Sequence, residues 1–209
     1  INVYGSDPGF SVASNGGTHT AWEDVALIRE IPGAVICDPA DDVQMEWIIK
    51  EFLKMEGIHY VRSNRKAVRN VYKKGSSFKI GQGNILKEGK DILIIAAGQL
   101  VSEALDCAEE LEKEGYSVEV IDMFTIKPLD EKLLIKEAKG KSKIVTIENH
   151  SIYGGLGSAV SEVIAENGIS VPVKRIGVKE KFGQVGTVEF LQEEFGLTAK
   201  QIKETICQF

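Results

Sequence analysis

The stretch Ile92-Leu93-Ile94-Ile95-Ala96 decides the fold class of this 209-residue chain. A continuous apolar run of this length is typical of a strand buried on both faces, as in a parallel sheet covered by helices. The apolar residues that follow recur at helical spacing on one face: Leu100, Val101, Ala104, Leu105, Ala108 and Leu111. Gly115 stands where such a helix should stop. Residues 92–115 therefore predict one strand followed by one helix.

The same alternation continues to the end of the chain. Further strands are predicted at residues 118–121, 144–147 and 171–176. Helices are predicted from Pro128 onward, at residues 156–166, and in two short segments near 188–195 and 198–207. Because strand and helix alternate four times, we expect an α/β fold with a mostly parallel sheet and helices on both faces.

The first third of the chain repeats this pattern in a shorter form. Strands are predicted at residues 35–37 and 58–62, and between them Asp41 is expected to cap a helix. About 75 residues with so few strands are typical of the tail of a doubly wound domain and not of a whole one. Residues 66–90 are rich in Lys, Gly and Ser and predict a linker, with a hairpin around Gly81-Gln82-Gly83-Asn84.

The composition argues against several classes of protein. A formal net charge of −6 disfavours non-specific nucleic-acid binding. No apolar run approaches the roughly 20 residues that span a bilayer, so no membrane association is expected. The three cysteines are far apart and form neither a metal-ligand pair nor a disulfide framework, which favours a reducing cytoplasmic setting. The sequence contains no Ser-His-Asp order, no close pair of catalytic carboxylates and no metal cluster.

A glycine loop that carries a histidine, Gly16-Gly17-Thr18-His19, runs directly into an amphipathic helix. Such a loop offers backbone N–H groups and an imidazole near the positive end of a helix dipole, where anions or hydroxyls can bind. The alternative is a loop with a capping threonine and a solvent-exposed histidine.

Basic residues cluster where the strand at 58–62 ends, at Arg62, Arg65, Lys66 and Arg69. Ligands of open α/β sheets gather beyond the carboxyl ends of the strands, and an arginine there could bind a phosphate with two parallel hydrogen bonds. A solvated, basic start of the linker explains the cluster equally well. The residues alone thus predict one candidate anion pocket near His19 and Arg65.

The residues alone do not assign a function to two further segments. The turn Tyr153-Gly154-Gly155-Leu156-Gly157-Ser158 lacks the spacing of the known phosphate-binding fingerprints, so tight packing of a loop against a helix is the favoured interpretation. Glu148-Asn149-His150 precedes it at a strand end and could serve a site or an interface. His59 lies inside a strand and is expected to be structural.

Taken together, short motifs along nearly the whole chain resemble, in the correct order, the C-terminal half of the transketolase family. The motifs are Gly17-Thr18-His19, Glu23 to Arg29 with Ile31-Pro32-Gly33, Asp38-Pro39-Ala40-Asp41, Asp122 to Asp130, Glu148 to Ile152, Gly154 to Ser158, Lys181-Phe182-Gly183 and Gly196-Leu197-Thr198. The resemblance implies that residues 1–75 are the C-terminal part of an incomplete pyrimidine-binding domain. Residues 76–90 would then be a linker, and residues 91–209 the transketolase C-terminal domain.

The family's activity is a two-carbon ketol transfer from a ketose phosphate to an aldose phosphate, with thiamine diphosphate and Mg²⁺ as cofactors. The resemblance implies that the diphosphate-binding module and the glutamate that protonates the cofactor lie upstream of residue 1. The partners would be sugar phosphates, an N-terminal diphosphate-binding portion or subunit, and a second copy in a homodimer. We expect the isolated chain to bind no cofactor tightly and to be inactive.

Four residues carry over to the family's substrate site. His19 matches a histidine that hydrogen-bonds substrate near the reacting centre and serves as the candidate catalytic residue, and Arg65 matches the arginine that binds the sugar phosphate. Asn15 replaces an aspartate that contacts a donor hydroxyl, and Asp7 replaces a histidine. A carboxylate at position 7 is expected to repel an anionic substrate, so the usual xylulose 5-phosphate specificity is not expected to transfer intact.

Three alternatives stay open at the level of sequence. The chain also resembles, less fully, deoxyxylulose-phosphate synthase or the beta subunit of a 2-oxo-acid dehydrogenase. It could instead be a non-catalytic module that supports dimer assembly. The Asp38-Pro39-Ala40-Asp41 segment and the stretch from Asp122 to Asp130 favour transketolase.

Overall fold

Two sheets organise the chain in a computed structural model that describes residues 1–209. The strands are β1 Asn2–Ser6, β2 Val35–Cys37, β3 His59–Ser63, β4 Asn84–Lys87, β5 Ile92–Ala96, β6 Val118–Asp122, β7 Thr125–Lys127, β8 Lys143–Ser151 and β9 Val173–Val178. The α-helices are α1 Asp24–Arg29, α2 Asp42–Phe52, α3 Val101–Glu112, α4 Glu131–Glu137, α5 Leu156–Glu166, α6 Val188–Glu194 and α7 Ala199–Gln208. Short 3-10 segments span Gly9–Thr18 and Gly98–Leu100.

The five-stranded sheet has the order β4-β6-β5-β8-β9 and confirms the predicted α/β fold. Its strands β6, β5, β8 and β9 run parallel to their neighbours. Alternate residues of β5 belong to two separate apolar clusters, Ile92 and Ile94 to one and Leu93 and Ile95 to the other. Side chains of α3 and α7 complete the first cluster, and side chains of α4 and α5 complete the second. The continuous apolar run therefore reflects burial on both faces, as the sequence predicts.

The four-stranded sheet has the order β1-β3-β2-β7. Strands β1, β3 and β2 are parallel, and Ser6 of β1 lies in register with Ser63 of β3. Asp41 caps α2 by accepting a hydrogen bond from the backbone N–H of Gln44 at 2.9 Å, as predicted. Strands β1 and β3 thus end at the same edge of this sheet, from which the His19 and Arg65 segments both leave.

Some local predictions were wrong. The hairpin expected around Gly81 does not form, because β4 pairs antiparallel with β6 and part of the segment predicted as a linker becomes an edge strand. The helix expected to open at Pro128 begins at Glu131 and is capped by Asp130. Strand β7 was missed, and it joins the four-stranded sheet beside β2. The chain between β6 and β7 therefore crosses from one sheet to the other.

The start of the chain carried no prediction, and it forms strand β1. Strand β1 pairs with β3 along Asn2–Ser6, but most of its side chains are exposed. None of the helices is both long enough and apolar enough to cross a lipid bilayer.

A buried carboxyl holds the crossover in place. Asp122 is fully buried, and its Oδ2 accepts hydrogen bonds from Gln44 Nε2 at 2.7 Å and from the Tyr72 hydroxyl at 2.5 Å. Burial raises the pKa of Asp122 to about 7, although both hydrogen bonds act in the opposite direction. The carboxyl therefore gains a proton far more readily in the folded chain than in the unfolded chain.

This raised pKa predicts a pH-dependent loss of stability. Because the folded state holds the proton more tightly, the contribution of Asp122 declines as pH rises from about 4 to about 7. Asp122→Asn mimics the protonated carboxyl and should raise the free energy of unfolding at pH 8 by roughly 2–4 kcal/mol, at about 1.4 kcal/mol per pKa unit. Urea unfolding of both proteins at pH 5 and pH 8 measures the difference, since other titrating groups contribute equally to both. An identical pH dependence of the two proteins would contradict the prediction.

Candidate functional site

The His19 loop is a closed turn with an exposed imidazole. The backbone N–H groups of His19 and Thr20 both donate to the carbonyl oxygen of Gly16, at 3.0 and 3.1 Å, and the Thr20 hydroxyl donates to the same oxygen at 2.9 Å. The imidazole Nδ1 lies 2.8 Å from the Thr18 hydroxyl, which also donates to the Asn15 carbonyl oxygen at 3.3 Å. The side chains of His19 and Asn15 are exposed.

This geometry corrects one expectation about the loop. The Gly16-Gly17-Thr18-His19 loop was expected to offer backbone N–H groups to an anion, but the turn itself uses the N–H group of His19. The helix that follows has six residues and begins at Asp24. The exposed imidazole is therefore the side-chain group that the loop offers to a ligand.

A second loop holds the histidine loop in place. A Cβ atom on Gly17 would lie 2.6 Å from the Gly183 carbonyl oxygen, and one on Gly183 would lie 2.3 Å from the Thr20 hydroxyl. The glycines at both positions allow close packing, Gly17 against the backbone of Gly183 and Gly183 against the Thr20 side chain. The motif around Phe182 is thus joined in space to the Thr18-His19 motif, about 160 residues earlier in the chain.

Arg65 and Asp7 form an ion pair at the carboxyl-terminal edge of β3. Asp7 Oδ2 accepts from Arg65 Nε, and Asp7 Oδ1 accepts from the Arg65 backbone N–H at 2.8 Å. The Asp7 side chain is 6% exposed and that of Arg65 is 71% exposed. The two sequence-predicted residues are therefore in contact, and the guanidinium is held by its Nε edge.

Arg65 lines a cavity of about 300 Å³ beyond the carboxyl ends of β2 and β3. Asp41, Asp42 and Asn64 line the same cavity. A smaller cavity of about 100 Å³ adjoins it and is lined by Asp7, Lys66 and Gln99, among others. The Asn64 Oδ1 and Gln99 Nε2 atoms are buried and have no hydrogen-bond partner in the chain. His19 does not line either cavity.

Arg62 was grouped with Arg65 at the level of sequence, but its role is different. It is 1% exposed, and its guanidinium donates to Asp24 at 2.8 and 3.3 Å, to Asp38 at 2.8 Å and to the Asn149 carbonyl oxygen at 3.0 Å. Every nitrogen of the Arg62 guanidinium therefore donates a hydrogen bond inside the protein. Arg62 ties α1, β2 and β8 together and is not available to a ligand.

The glycine turn at 153–158 packs tightly, as predicted. Glu148 Oε2 and Oε1 accept from the backbone N–H groups of Leu156 and Gly157, at 2.7 and 2.8 Å. A Cβ atom on Gly155 would lie 2.0 Å from Glu148 Oε2. Burial raises the pKa of Glu148 to about 7 despite these two donors. Glu148 therefore accepts hydrogen bonds from the first backbone N–H groups of α5. Its carboxylate occupies the position in which a phosphate would otherwise bind.

The other residues of this strand end are also structural. Asn149 Oδ1 accepts from the Phe10 backbone N–H at 3.1 Å, and its Nδ2 donates to the Pro8 carbonyl oxygen at 3.0 Å. Burial, followed by the charge of Arg62, lowers the pKa of His150 to about 4 and keeps the imidazole neutral. Asn149 thus anchors the segment that leads to the His19 loop. Sequence reasoning left this use open because Phe10 and Pro8 lie about 140 residues away in the chain.

No part of the chain forms a metal site, since no three His, Cys, Asp or Glu side chains group together. The three cysteines are free, and Cys37 and Cys107 are buried. Fewer than three such ligands therefore meet at any point of this chain, so Mg²⁺ would need its remaining ligands from the diphosphate, from water or from another polypeptide portion.

Comparison with known proteins agrees with this architecture. The family model described as "Transketolase, C-terminal domain" matches residues 81–202. A 6-deoxy-6-sulfo-D-fructose transketolase subunit from Clostridium sp. (strain MSTE9) is 41% identical over 202 residues, which cover 97% of this chain and 62% of that protein. A 1-deoxy-D-xylulose-5-phosphate synthase from Heliobacterium modesticaldum is 35% identical over 203 residues, covering 96% of this chain and 31% of the synthase.

A solved structure resembles the whole chain. It is described as "Split gene transketolase, inactive beta4 tetramer" and matches with a TM-score of 0.89 and 36% identity, covering 100% of this chain and 65% of that one. The chain thus spans less than two thirds of the length of this structure and of the Clostridium relative. The extent of the family match, over more than half of its residues, shows that this chain belongs to the transketolase family.

Proposed function

We propose that this chain is the C-terminal part of a thiamine-diphosphate-dependent transketolase, which transfers a two-carbon ketol unit between sugar phosphates. The observation that carries the proposal is the shared edge of the first sheet. The His19 loop follows β1 and Arg65 follows β3, and these strands are parallel with Ser6 opposite Ser63. The segment that carries a group suited to the reacting end of a sugar and the segment that carries a group suited to its terminal anion therefore both leave the same edge of the sheet.

The proposed roles follow the chemistry of each side chain. His19 would hydrogen-bond substrate near the reacting centre or move a proton there. Asn15 would contact a donor hydroxyl as a neutral amide. Arg65 would bind the terminal anion of the sugar through Nη1 and Nη2, since the chain gives these nitrogens no acceptor. Asp7 would orient Arg65.

The rest of the active site would come from a second polypeptide portion. We assign thiamine diphosphate and Mg²⁺ to an N-terminal diphosphate-binding portion or subunit, as the family resemblance implies, and fewer than three His, Cys, Asp or Glu side chains meet at any point of this chain. Residues 1–75 would be part of the pyrimidine module and residues 91–209 the C-terminal domain of the complete enzyme. A homodimer of that enzyme, a cytoplasmic location and a place in pentose phosphate metabolism belong to the same proposal.

Calorimetry and reconstitution test whether the cofactors bind to the second polypeptide portion and not to this chain alone. Titration of the isolated chain with thiamine diphosphate and Mg²⁺ should give no micromolar binding, and the isolated chain should not transfer ketol units. Addition of the diphosphate-binding partner should produce both cofactor binding and transfer. Micromolar binding to the chain alone, or a reconstituted complex without transfer to any aldose phosphate, would overturn the proposal.

The reconstituted complex also separates the alternatives. The transketolase subunit from Clostridium is 41% identical to this chain, and the deoxyxylulose-phosphate synthase is 35% identical. A synthase would condense pyruvate with an aldose phosphate, a 2-oxo-acid dehydrogenase chain would decarboxylate a 2-oxo acid, and an assembly module would support neither reaction. Ketol transfer without consumption of a 2-oxo acid is the outcome that we expect.

Arg65→Ala should weaken the binding of anionic sugars in the reconstituted enzyme. The loss of a charge-assisted hydrogen bond predicts a KM that rises tenfold or more, about 1.4 kcal/mol or above. Arg69→Ala is the matched control, because Arg69 is an exposed arginine four residues away that pairs with Asp106. Steady-state kinetics on a donor series measures both variants. An unchanged KM for Arg65→Ala would remove this residue from the anion site.

The relatives leave the nature of the terminal anion open. The Clostridium relative is named for 6-deoxy-6-sulfo-D-fructose, a sugar that ends in a sulfonate. Sugar phosphates are the substrates that the family resemblance implies. Both groups are tetrahedral oxyanions that two guanidinium N–H groups can bind.

A further inference from the structure

The carboxylate of Asp7 is committed entirely to Arg65. Its two oxygens accept from the Nε and from the backbone N–H of Arg65, and the side chain is 6% exposed. Asp7 adopts a positive φ of 53°, which a residue other than glycine rarely adopts, and its own N–H donates to the Ser63 carbonyl oxygen at 2.7 Å. The residue is thus held in place at both its backbone and its side chain. Arg65 consequently presents Nη1 and Nη2 in one orientation.

The same contact offsets the charge of the guanidinium. The two adjoining cavities at this edge are lined by more carboxylates than cations: Asp7, Asp41, Asp42 and Glu189 against Arg65 and Lys66. A ligand that brings two negative charges would meet this acidic surplus with no further cation from this chain. Asp7 and Asp41 are buried, whereas Asp42 and Glu189 are exposed. Buried charges are screened less by salt than exposed ones, so the two buried carboxylates act most strongly on a bound anion.

A singly charged tetrahedral group suits these surroundings. Two guanidinium N–H groups match two oxygens of such a group, which favours an oxyanion over a hydroxyl. A phosphate monoester carries about −1.5 to −2 charges at pH 7, because its second pKa is about 6. A sulfonate has the same tetrahedral shape but carries one charge at every pH at which the enzyme would work.

We propose that the Asp7–Arg65 site selects sugars that end in a monoanionic sulfonate over the matching sugars that end in a phosphate dianion. The inference rests on the proposed ketol transfer and replaces its sugar-phosphate donor with a sulfonated one. Asp7 is the specificity-determining residue, and it acts through Arg65 and through its own charge. The carboxylate that was expected to repel anions in general is paired, so it discriminates against the second charge and not the first.

The reconstituted enzyme provides the first test. A hexulose with a C6 sulfonate and the matching hexulose 6-phosphate serve as donors, with one common acceptor. At about pH 7.5 the sulfonate donor should have a kcat/KM about tenfold or more above that of the phosphate donor. Asp7→Asn should reduce this ratio by about tenfold. Asp106→Asn is the control, because Asp106 is an exposed carboxylate that pairs with Arg69 outside the two cavities, and it should leave the ratio unchanged.

A second test needs no variant and so does not depend on the folding of Asp7→Asn. Between about pH 7.5 and about pH 5.5 the phosphate donor becomes a monoanion, whereas the sulfonate keeps its charge. The kcat/KM of the phosphate donor relative to the sulfonate donor should therefore rise as pH falls. A ratio that stays flat with pH, or a wild-type preference for phosphate, overturns the inference.

The two proposals fail in different ways. Efficient ketol transfer with a preference for the phosphate donor overturns the sulfonate selectivity and keeps the transketolase function. Absence of transfer with both donors overturns the function and the selectivity together. A sulfonate preference that Asp7→Asn leaves intact in a folded enzyme overturns the role of Asp7.

Discussion

Replacement of Arg62 by alanine is expected to lower the free energy of unfolding by about 3–5 kcal/mol. Arg62 is 1% exposed and pairs with Asp24 and Asp38, whose side chains are 12% and 9% exposed. Without the guanidinium the two carboxylates would stay buried beside each other with no cation. The loss of the hydrogen bond to the Asn149 carbonyl oxygen adds to the cost.

Urea unfolding of the isolated chain at neutral pH measures this effect. Arg69→Ala is the matched control, because the Arg69–Asp106 pair is half exposed and should contribute about 1 kcal/mol or less. Arg62→Lys should recover part of the lost stability, since an ammonium supplies the charge but not the planar fork. If Arg62→Ala were no more destabilising than Arg69→Ala, the buried ion network would not stabilise the fold in the way described.

His19→Ala should reduce the kcat of the reconstituted enzyme by about 100-fold or more, the scale of a lost general acid or base. The imidazole is exposed, and its side-chain contact within the chain is the 2.8 Å approach to the Thr18 hydroxyl. The substitution therefore removes a functional group without opening a cavity. Pre-steady-state or steady-state measurement of ketol transfer gives the change in rate.

The stability of the variant separates catalysis from structure. Because the turn is closed by backbone bonds to Gly16 and by the Thr20 hydroxyl, His19→Ala should unfold at the same urea concentration as the wild type. His19→Gln keeps a neutral hydrogen-bonding group and should retain more activity than the alanine variant. A folded, assembled alanine variant with unchanged kcat would remove His19 from the reaction.

The sequence predicted the core because the core is built from local periodicity. An apolar run such as Ile92–Ala96 reports burial on both faces, and helical spacing in α3 and α5 reports one buried face each. The cap of α2 at Asp41 was predicted for the same reason, since a cap and its helix are neighbours in the chain.

Three of the four edge strands, β1, β4 and β7, escaped prediction because their own residues carry a weak periodic signal. Strand β1 is mostly exposed, and β4 and β7 have four and three residues, too few to show a clear alternation. Their pairing depends on partners far along the chain: β4 joins β6, and β7 joins β2. A strand that is defined by its neighbour cannot be recognised from its own residues.

At the candidate site, some features follow from the sequence and others depend on the tertiary structure. The sequence by itself determined the α/β architecture, the family, and His19 and Arg65 as residues of interest, because these depend on motifs that are contiguous in the chain. The tertiary structure alone decided that Arg62 is buried among Asp24 and Asp38 while Arg65, three residues later, meets Asp7 and stays open to a ligand. The physical reason is that the charge and availability of a side chain depend on partners tens of residues away, which only folding brings within hydrogen-bond distance.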